Sequence, residues 1–198
     1  MRFWLCASLL APCVVAAGPS PRHALQEPAA LKHPNELTLA GLRPGKDTLA
    51  TAEARYKTKH RRIVPGANDI LEWADECTGR ALLIELGEKN VIQSITITAM
   101  GRISTEETVN CNDSVRDVLH TKLWKTGRGL KLGDPRNRVV ELYGEPTSSG
   151  PSAKGNRELE LLFYSFDGAG PDGPQVMEVS CERSTGRVRE ITLAFPSL

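Results

Sequence analysis

Several features that mark common protein classes are scarce or missing in this 198-residue chain. Its 25 basic residues are balanced by 24 acidic ones, and the formal charge of +1 argues against a nucleic-acid binder, which carries a clear basic surplus. The chain contains no Gly-x-Ser-x-Gly elbow, no Cys-x-x-Cys pair and no two histidines close together. The sequence therefore predicts no catalytic, cofactor-binding or metal-binding residues, and a protein that is not an enzyme.

Residues 1–17 have the pattern of an export signal. Arg2 precedes an almost wholly apolar segment that ends in small residues at Ala17, and the segment is shorter than the ~20 apolar residues of a membrane span. A retained membrane anchor is one alternative, and a lipoprotein with its lipid on Cys13 is another. Because Pro12 is a poor residue before a lipid-attachment cysteine, we predict cleavage after Ala17 and export to the periplasm or the medium.

The exported chain is expected to begin with a tether and to hold an odd number of cysteines. Residues 18–37 are rich in proline and have few large apolar side chains, which predicts a flexible segment. Removal of the signal leaves Cys77, Cys111 and Cys181. Cys77 lies in the turn after a first predicted strand and Cys111 after a third, so both fall at one end of a meander, and we expect a Cys77–Cys111 disulfide. Other pairings, and no bridge at all, stay open because sequence alone does not fix connectivity.

Two stretches of the chain share a pattern. Residues 41–45 and 129–133 both have the form Gly-Leu-basic-x-Gly, and each precedes a short predicted helix with a tyrosine at its end. Further on, residues 92–97 in a strand predicted over 91–99 match residues 188–193 in a strand predicted over 188–195. In the first of these strands, alternation predicts that Ile95 and Ile97 point inward. A repeat of this length predicts two related units rather than a solenoid.

The predicted fold class is α+β, with two tandem units over 38–101 and 128–198. Each unit is expected to pack a short helix on a three- to four-stranded antiparallel meander, and a loop and helix over 102–127 would join them.

The second unit gives the more detailed expectations. Asp134 is the expected N-cap of a helix that ends at Gly144, and a loop is expected over 147–155. In the strand that follows, alternation predicts that Leu159, Leu161 and Phe163 lie on one face.

The motifs of this second unit resemble a known family. Leu130-x-x-Gly133, a short helix, Gly144-x-Pro146, the strand around Phe163 and the turn at Thr185-Gly186 are similar to the SmpA/OmlA (BamE-like) lipoproteins of outer-membrane assembly. A tandem pair of such units resembles the β-lactamase inhibitor protein. These motifs are structural, so the resemblance implies a fold and an exported interaction role, and no partner-contact residue is carried over from either group.

Candidate interface residues come from a basic run and from one tryptophan. The run could contact an anionic surface or an acidic protein patch, and its alternative is a solvated strand edge or helix end. Trp124 follows an apolar helical stripe and is expected to be partly exposed, where tryptophan favours interfaces. The candidates are Arg55, Lys57, Lys59, Arg61, Arg62 and Trp124.

Taken together, these patterns predict an exported, non-enzymatic protein-interaction module of the bacterial cell envelope. It would bind another exported or envelope protein and would need no cofactor, no nucleic acid and no transmembrane span after processing. The alternatives are a secreted inhibitor of a hydrolase and a small-ligand carrier with a pocket between the units.

Overall fold

Eight antiparallel strands and two helices make up the computed structural model, which describes residues 35–57, 59–64, 69–75, 78–99, 124–166 and 176–195. The helices are α1 (Leu49–Tyr56) and α2 (Arg136–Tyr143), and a 3-10 turn spans Glu88–Asn90. The strands are β1 (Arg61–Val64), β2 (Asp69–Asp75), β3 (Arg80–Leu86), β4 (Ile92–Ala99), β5 (Ser148–Lys154), β6 (Arg157–Ser165), β7 (Val176–Glu182) and β8 (Val188–Ala194). Their order across the sheet is β1-β2-β3-β4-β8-β7-β6-β5.

Both halves of the chain share this one sheet. β4 pairs with β8 at its centre, where Thr96 lies opposite Thr192, and the buried side chains of both halves form one cluster. The predicted fold class, two tandem helix-on-sheet units, is therefore wrong. The physical reason lies in β4, the last strand of the first half, which carries no charged residue and no proline. Such an unprotected edge strand pairs readily with another strand.

Both helices pack on the same face of the sheet. Tyr56 of α1 contacts Trp73 edge-on at a ring-centroid distance of 5.5 Å, and Tyr143 of α2 contacts Tyr164 at 5.8 Å. The expectation that Ile95 points inward is confirmed, since it is fully buried on this face. The sheet therefore has one face that carries the core and the helices, and one that carries neither helix.

Several element boundaries differ from those expected. The helix ending at Gly144 has Pro135 at its N-cap, while the Asp134 carboxylate accepts the backbone N–H of Lys131 at 2.9 Å and closes the preceding turn. The expected loop over 147–155 contains β5. This strand escapes a search for alternating apolar residues because it is a polar edge strand, where even Pro151 is tolerated.

Leu159, Leu161 and Phe163 lie on one face of β6, as predicted, but this is the face opposite the helices and not the core face. Leu162 and Tyr164 lie in the core, whereas Leu161 and Phe163 lie half-buried on the opposite face. Apolar residues occupy both alternating sets in this strand, so alternation alone does not select a face.

A buried carboxylate fixes the start of the described chain. Glu36 is 2% exposed, and its carboxylate accepts the backbone N–H groups of Leu37, Thr38, Gly127 and Arg128. It also accepts the Tyr143 hydroxyl at 2.6 Å. The last residues of the predicted tether, 35–37, are therefore held against the fold.

Several predictions fall on residues outside those described. They are the signal peptide, most of the tether, Cys77, Cys111 and the connecting segment up to residue 123. Among the described residues, neither helix is long and apolar enough to cross a membrane.

Candidate interaction surface

The sheet face opposite the two helices is continuous from β1 to β5, and we call it the open face. One row of side chains crosses this face, because each residue of the row is paired with a residue of the row on the neighbouring strand. In sheet order the row is Arg61, Glu72, Leu83, Thr96, Thr192, Glu178, Phe163 and Ser148.

Apolar, hydroxyl and charged side chains are mixed on the open face. Leu83, Leu161 and Phe163 are half-buried there. A sheet face that contacts only water does not need large apolar side chains. At the centre, the hydroxyls of Thr96 and Thr192 are hydrogen-bonded at 2.8 Å. Apolar groups set among charged and hydroxyl side chains are typical of the surfaces through which proteins associate reversibly.

An ion pair lies at the β1 end of the open face. Arg61, which is 71% exposed, pairs with the nearly buried carboxylate of Glu72 on β2. A buried carboxylate needs such a partner because an unpaired charge is strongly disfavoured away from water.

The two outer edges of the sheet are protected against strand addition. β1 presents Arg61 and Arg62, and β5 presents Pro151 and Lys154. Charges and proline at an edge oppose the pairing of another strand. Any partner of the sheet is therefore expected on the open face rather than at an edge.

The structure does not bring the basic run together into one surface. Arg61 lies on the open face, whereas Arg62 pairs with Asp69 at 3.1 Å and lies opposite Leu71 in the register of the core face. Arg55 extends from α1 against Gly41.

The rest of the run is exposed or paired near α1. Lys57 ends the helix in a left-handed conformation, with φ of 52°, and Lys59 is exposed beyond it. His60 lies over the Trp73 ring at a centroid distance of 4.7 Å and 3.9 Å from the Glu53 carboxylate.

Trp124 lies in the core, where it is 3% exposed. The expectation of partial exposure is corrected here: the side chain belongs to the cluster shared by both halves of the sheet and presents no surface to a partner.

Cys181 is buried and is a free cysteine. Burial raises the pKa of its thiol to about 11, so the group is neutral at physiological pH. In the part of the chain that the structure describes, no three His, Cys, Asp or Glu side chains are placed to hold a metal ion.

A second feature of the open face, which sequence reasoning missed, is a pocket of about 330 Å³ at the end where β6 and β8 begin. Lys154, Arg157, Arg189 and Glu190 line it, and Lys154 pairs with Glu190. Lys154 and Arg157 come from one part of the chain and Arg189 and Glu190 from another, so no local motif marks the pocket.

Comparisons with known proteins find no family model that matches the chain and no curated protein that matches it. The resemblance to the SmpA/OmlA family therefore stays a hypothesis.

Two solved structures are similar to this chain. A DUF4309 family protein (YjgB) from Bacillus subtilis is 11% identical, with 81% of this chain and 88% of that chain covered and a TM-score of 0.45. A "putative beta-lactamase inhibitor protein" from Streptococcus mutans is 16% identical, with 80% and 89% covered and a TM-score of 0.26. A protein described as a β-lactamase inhibitor is thus among the structural neighbours.

Proposed function

We propose that this chain is an exported, non-enzymatic binding module that holds another exported or envelope protein on its open face. The observation that carries the proposal is the pattern of that face: Leu83, Leu161 and Phe163 lie half-buried where neither helix covers them. Burying such apolar groups against a partner supplies the main favourable free energy of association, and the surrounding charges supply specificity.

Site-specific photo-crosslinking tests this proposal. A photoreactive phenylalanine analogue at Phe163 is expected to crosslink one defined envelope protein in the producing cells. The matched control carries the same analogue at Glu141, which is exposed on α2 on the opposite side of the sheet. Equal crosslinking from both positions, or none from position 163, would contradict the proposal.

A substitution test separates binding from nonspecific contact. Leu83→Asp places a charge on the open face at β3, beside the central strand pair, and is expected to abolish the crosslink from position 163. Glu141→Lys, the control on α2, is expected to leave it unchanged.

The alternative function, a secreted inhibitor of a hydrolase, would use the same face. It predicts that the purified protein inhibits at least one member of a panel of β-lactamases and proteases, and that Leu83→Asp removes the inhibition. A crosslinked partner that is not a hydrolase would exclude the inhibitor and retain the binding module.

A further inference from the structure

The pocket at one end of the open face is built by two neighbouring structural features. The first is the two-residue turn between β5 and β6, where Gly155 has φ of +62° and Lys154 lies opposite Arg157. The second is the first part of β8, which contributes Arg189 and Glu190. Leu159 and Ala99 supply an apolar lining.

A β-bulge brings Arg189 into this pocket. The register between β7 and β8 shifts between Ser180, which lies opposite Glu190, and Cys181, which lies opposite Val188, so Arg189 is the extra residue. Bulges re-aim side chains, and here Arg189 and Glu190, which are neighbours in sequence, line the same pocket.

The Arg189 guanidinium lacks an acceptor at one position. Its Nε is buried and has no hydrogen-bond partner in the described part of the chain. A buried donor left unpaired is costly, and the side chain that carries this donor lines the pocket, so an acceptor that draws the guanidinium towards the pocket would recover free energy on binding.

The charges in the pocket favour an anion. The positive charge of Lys154 is balanced by the Glu190 carboxylate, whose Oε2 lies 2.5 Å from the Lys154 Nζ. Arg157 and Arg189 have no ion pair among the described residues. The guanidinium fork of arginine matches the two oxygens of a carboxylate, while the Glu190 carboxylate disfavours more highly charged anions.

We propose that this pocket is the subsite that takes the carboxylate of an Asp or Glu side chain presented by the protein partner. The subsite rests on the proposed function, because it assigns one contact of the partner on the open face. The apolar lining at Leu159 and Ala99 would accommodate the methylene groups of the entering side chain, which a free inorganic anion lacks.

An NMR titration of the full chain with N-acetyl-glutamate N-methylamide tests the subsite without the partner. Saturable shifts are expected at the amides of Gly155 and Asn156, and the glutamine analogue is expected to cause none. Inorganic phosphate is the third probe, and binding of phosphate in place of the glutamate analogue would overturn the proposal.

Three variants sharpen the test. Arg189→Met is expected to weaken binding of the glutamate analogue roughly tenfold, because the charge-assisted fork is lost. Glu190→Gln is expected to strengthen binding about threefold, because a competing charge is removed. Because structural damage would not strengthen binding, an increase in affinity in this variant cannot be attributed to misfolding. Arg138→Met, on α2 and away from the pocket, is the matched control and is expected to bind as the wild type does.

The outcomes separate the subsite from the binding face. Wild-type affinity in Arg189→Met, or equal shifts with the glutamate and glutamine analogues, overturns the subsite. If position 163 still crosslinks a partner in that case, the binding face stands alone. If the glutamate analogue binds as expected but position 163 crosslinks nothing, the proposed function fails instead.

Discussion

Glu36 shows how one residue can fix the start of a folded chain. Its carboxylate accepts four backbone N–H groups and the Tyr143 hydroxyl while it is 2% exposed. In Glu36→Gln, the amide NH₂ would face at least one backbone N–H, which can only donate, so at least one of these hydrogen bonds is lost and the others are no longer strengthened by the negative charge. We expect the free energy of unfolding, measured by chemical denaturation, to fall by about 2–3 kcal/mol.

Two further variants provide reference values for this change in unfolding free energy. Tyr143→Phe removes a hydroxyl and should cost about 1 kcal/mol, whereas Glu53→Gln on the exposed side of α1 should cost almost nothing. A Glu36→Gln protein as stable as Glu53→Gln would show that the carboxylate is not the anchor of residues 35–38.

Cys181 predicts a pH dependence of stability. Burial raises the pKa of its thiol from 9.0 to about 11, so above pH 9 the unfolded chain loses this proton while the folded chain keeps it. The thiol's contribution is therefore complete below about pH 9 and is lost as the pH rises to 11. The difference in unfolding free energy between the wild type and Cys181→Ala should fall by about 1.4 kcal/mol per pH unit in this range.

The comparison with Cys181→Ala cancels the titration of other groups, such as Tyr164, whose pKa burial raises to about 12. A difference in unfolding free energy that stays constant from pH 8 to 11 would contradict the prediction. Alkylation of native protein at pH 8, mapped by mass spectrometry, should leave Cys181 unmodified.

Residue-level predictions succeeded where a local pattern determines burial. Ile95 and Ile97 alternate with threonine, and both are buried as expected. Glu36 could not be found this way, because the backbone N–H groups it accepts at Gly127 and Arg128 lie 91 and 92 residues further along the chain. A charged residue near a proline-rich segment has the local signature of a solvated tether.

At the scale of elements, the neighbouring strands decide which side of β6 is buried. Leu161 and Leu162 are equally apolar, and the core takes Leu162 because the next residue on that face, Tyr164, contacts Tyr143 of α2. The candidate site was missed for the same reason: the phase that buries Leu162 places Leu161 and Phe163 on the open face.

The pairing of β4 with β8 can be tested with charges. Thr96 and Thr192 lie directly opposite each other on the open face, where both are partly exposed. The double variant Thr96→Lys/Thr192→Lys should be less stable than Thr96→Lys/Thr192→Glu by about 1 kcal/mol, because like charges oppose each other across the pair. Equal stabilities in chemical denaturation would argue that these strands are not neighbours in this register.

At the scale of the whole molecule, local patterns identify most helices and strands but not how the two halves associate. Each half contains a helix followed by four strands, and that order is compatible with two separate units or with one sheet. The choice depends on the β4 edge, whose pairing with β8 joins residues about a hundred positions apart, and on the core that both halves then share. No short window of sequence contains that information.

The shared sheet predicts one cooperative unfolding transition. Two tandem units with separate cores could unfold independently, whereas here opening either half exposes the central edge and part of the common core of the other. In scanning calorimetry, the calorimetric and van't Hoff enthalpies should therefore agree. Native-state hydrogen exchange should give the same opening free energy for the most protected amides of β3 and of β7, because both are released only by global unfolding. Two resolved heat-absorption peaks, or β7 amides that exchange while β3 stays protected, would show that the halves fold as separate units.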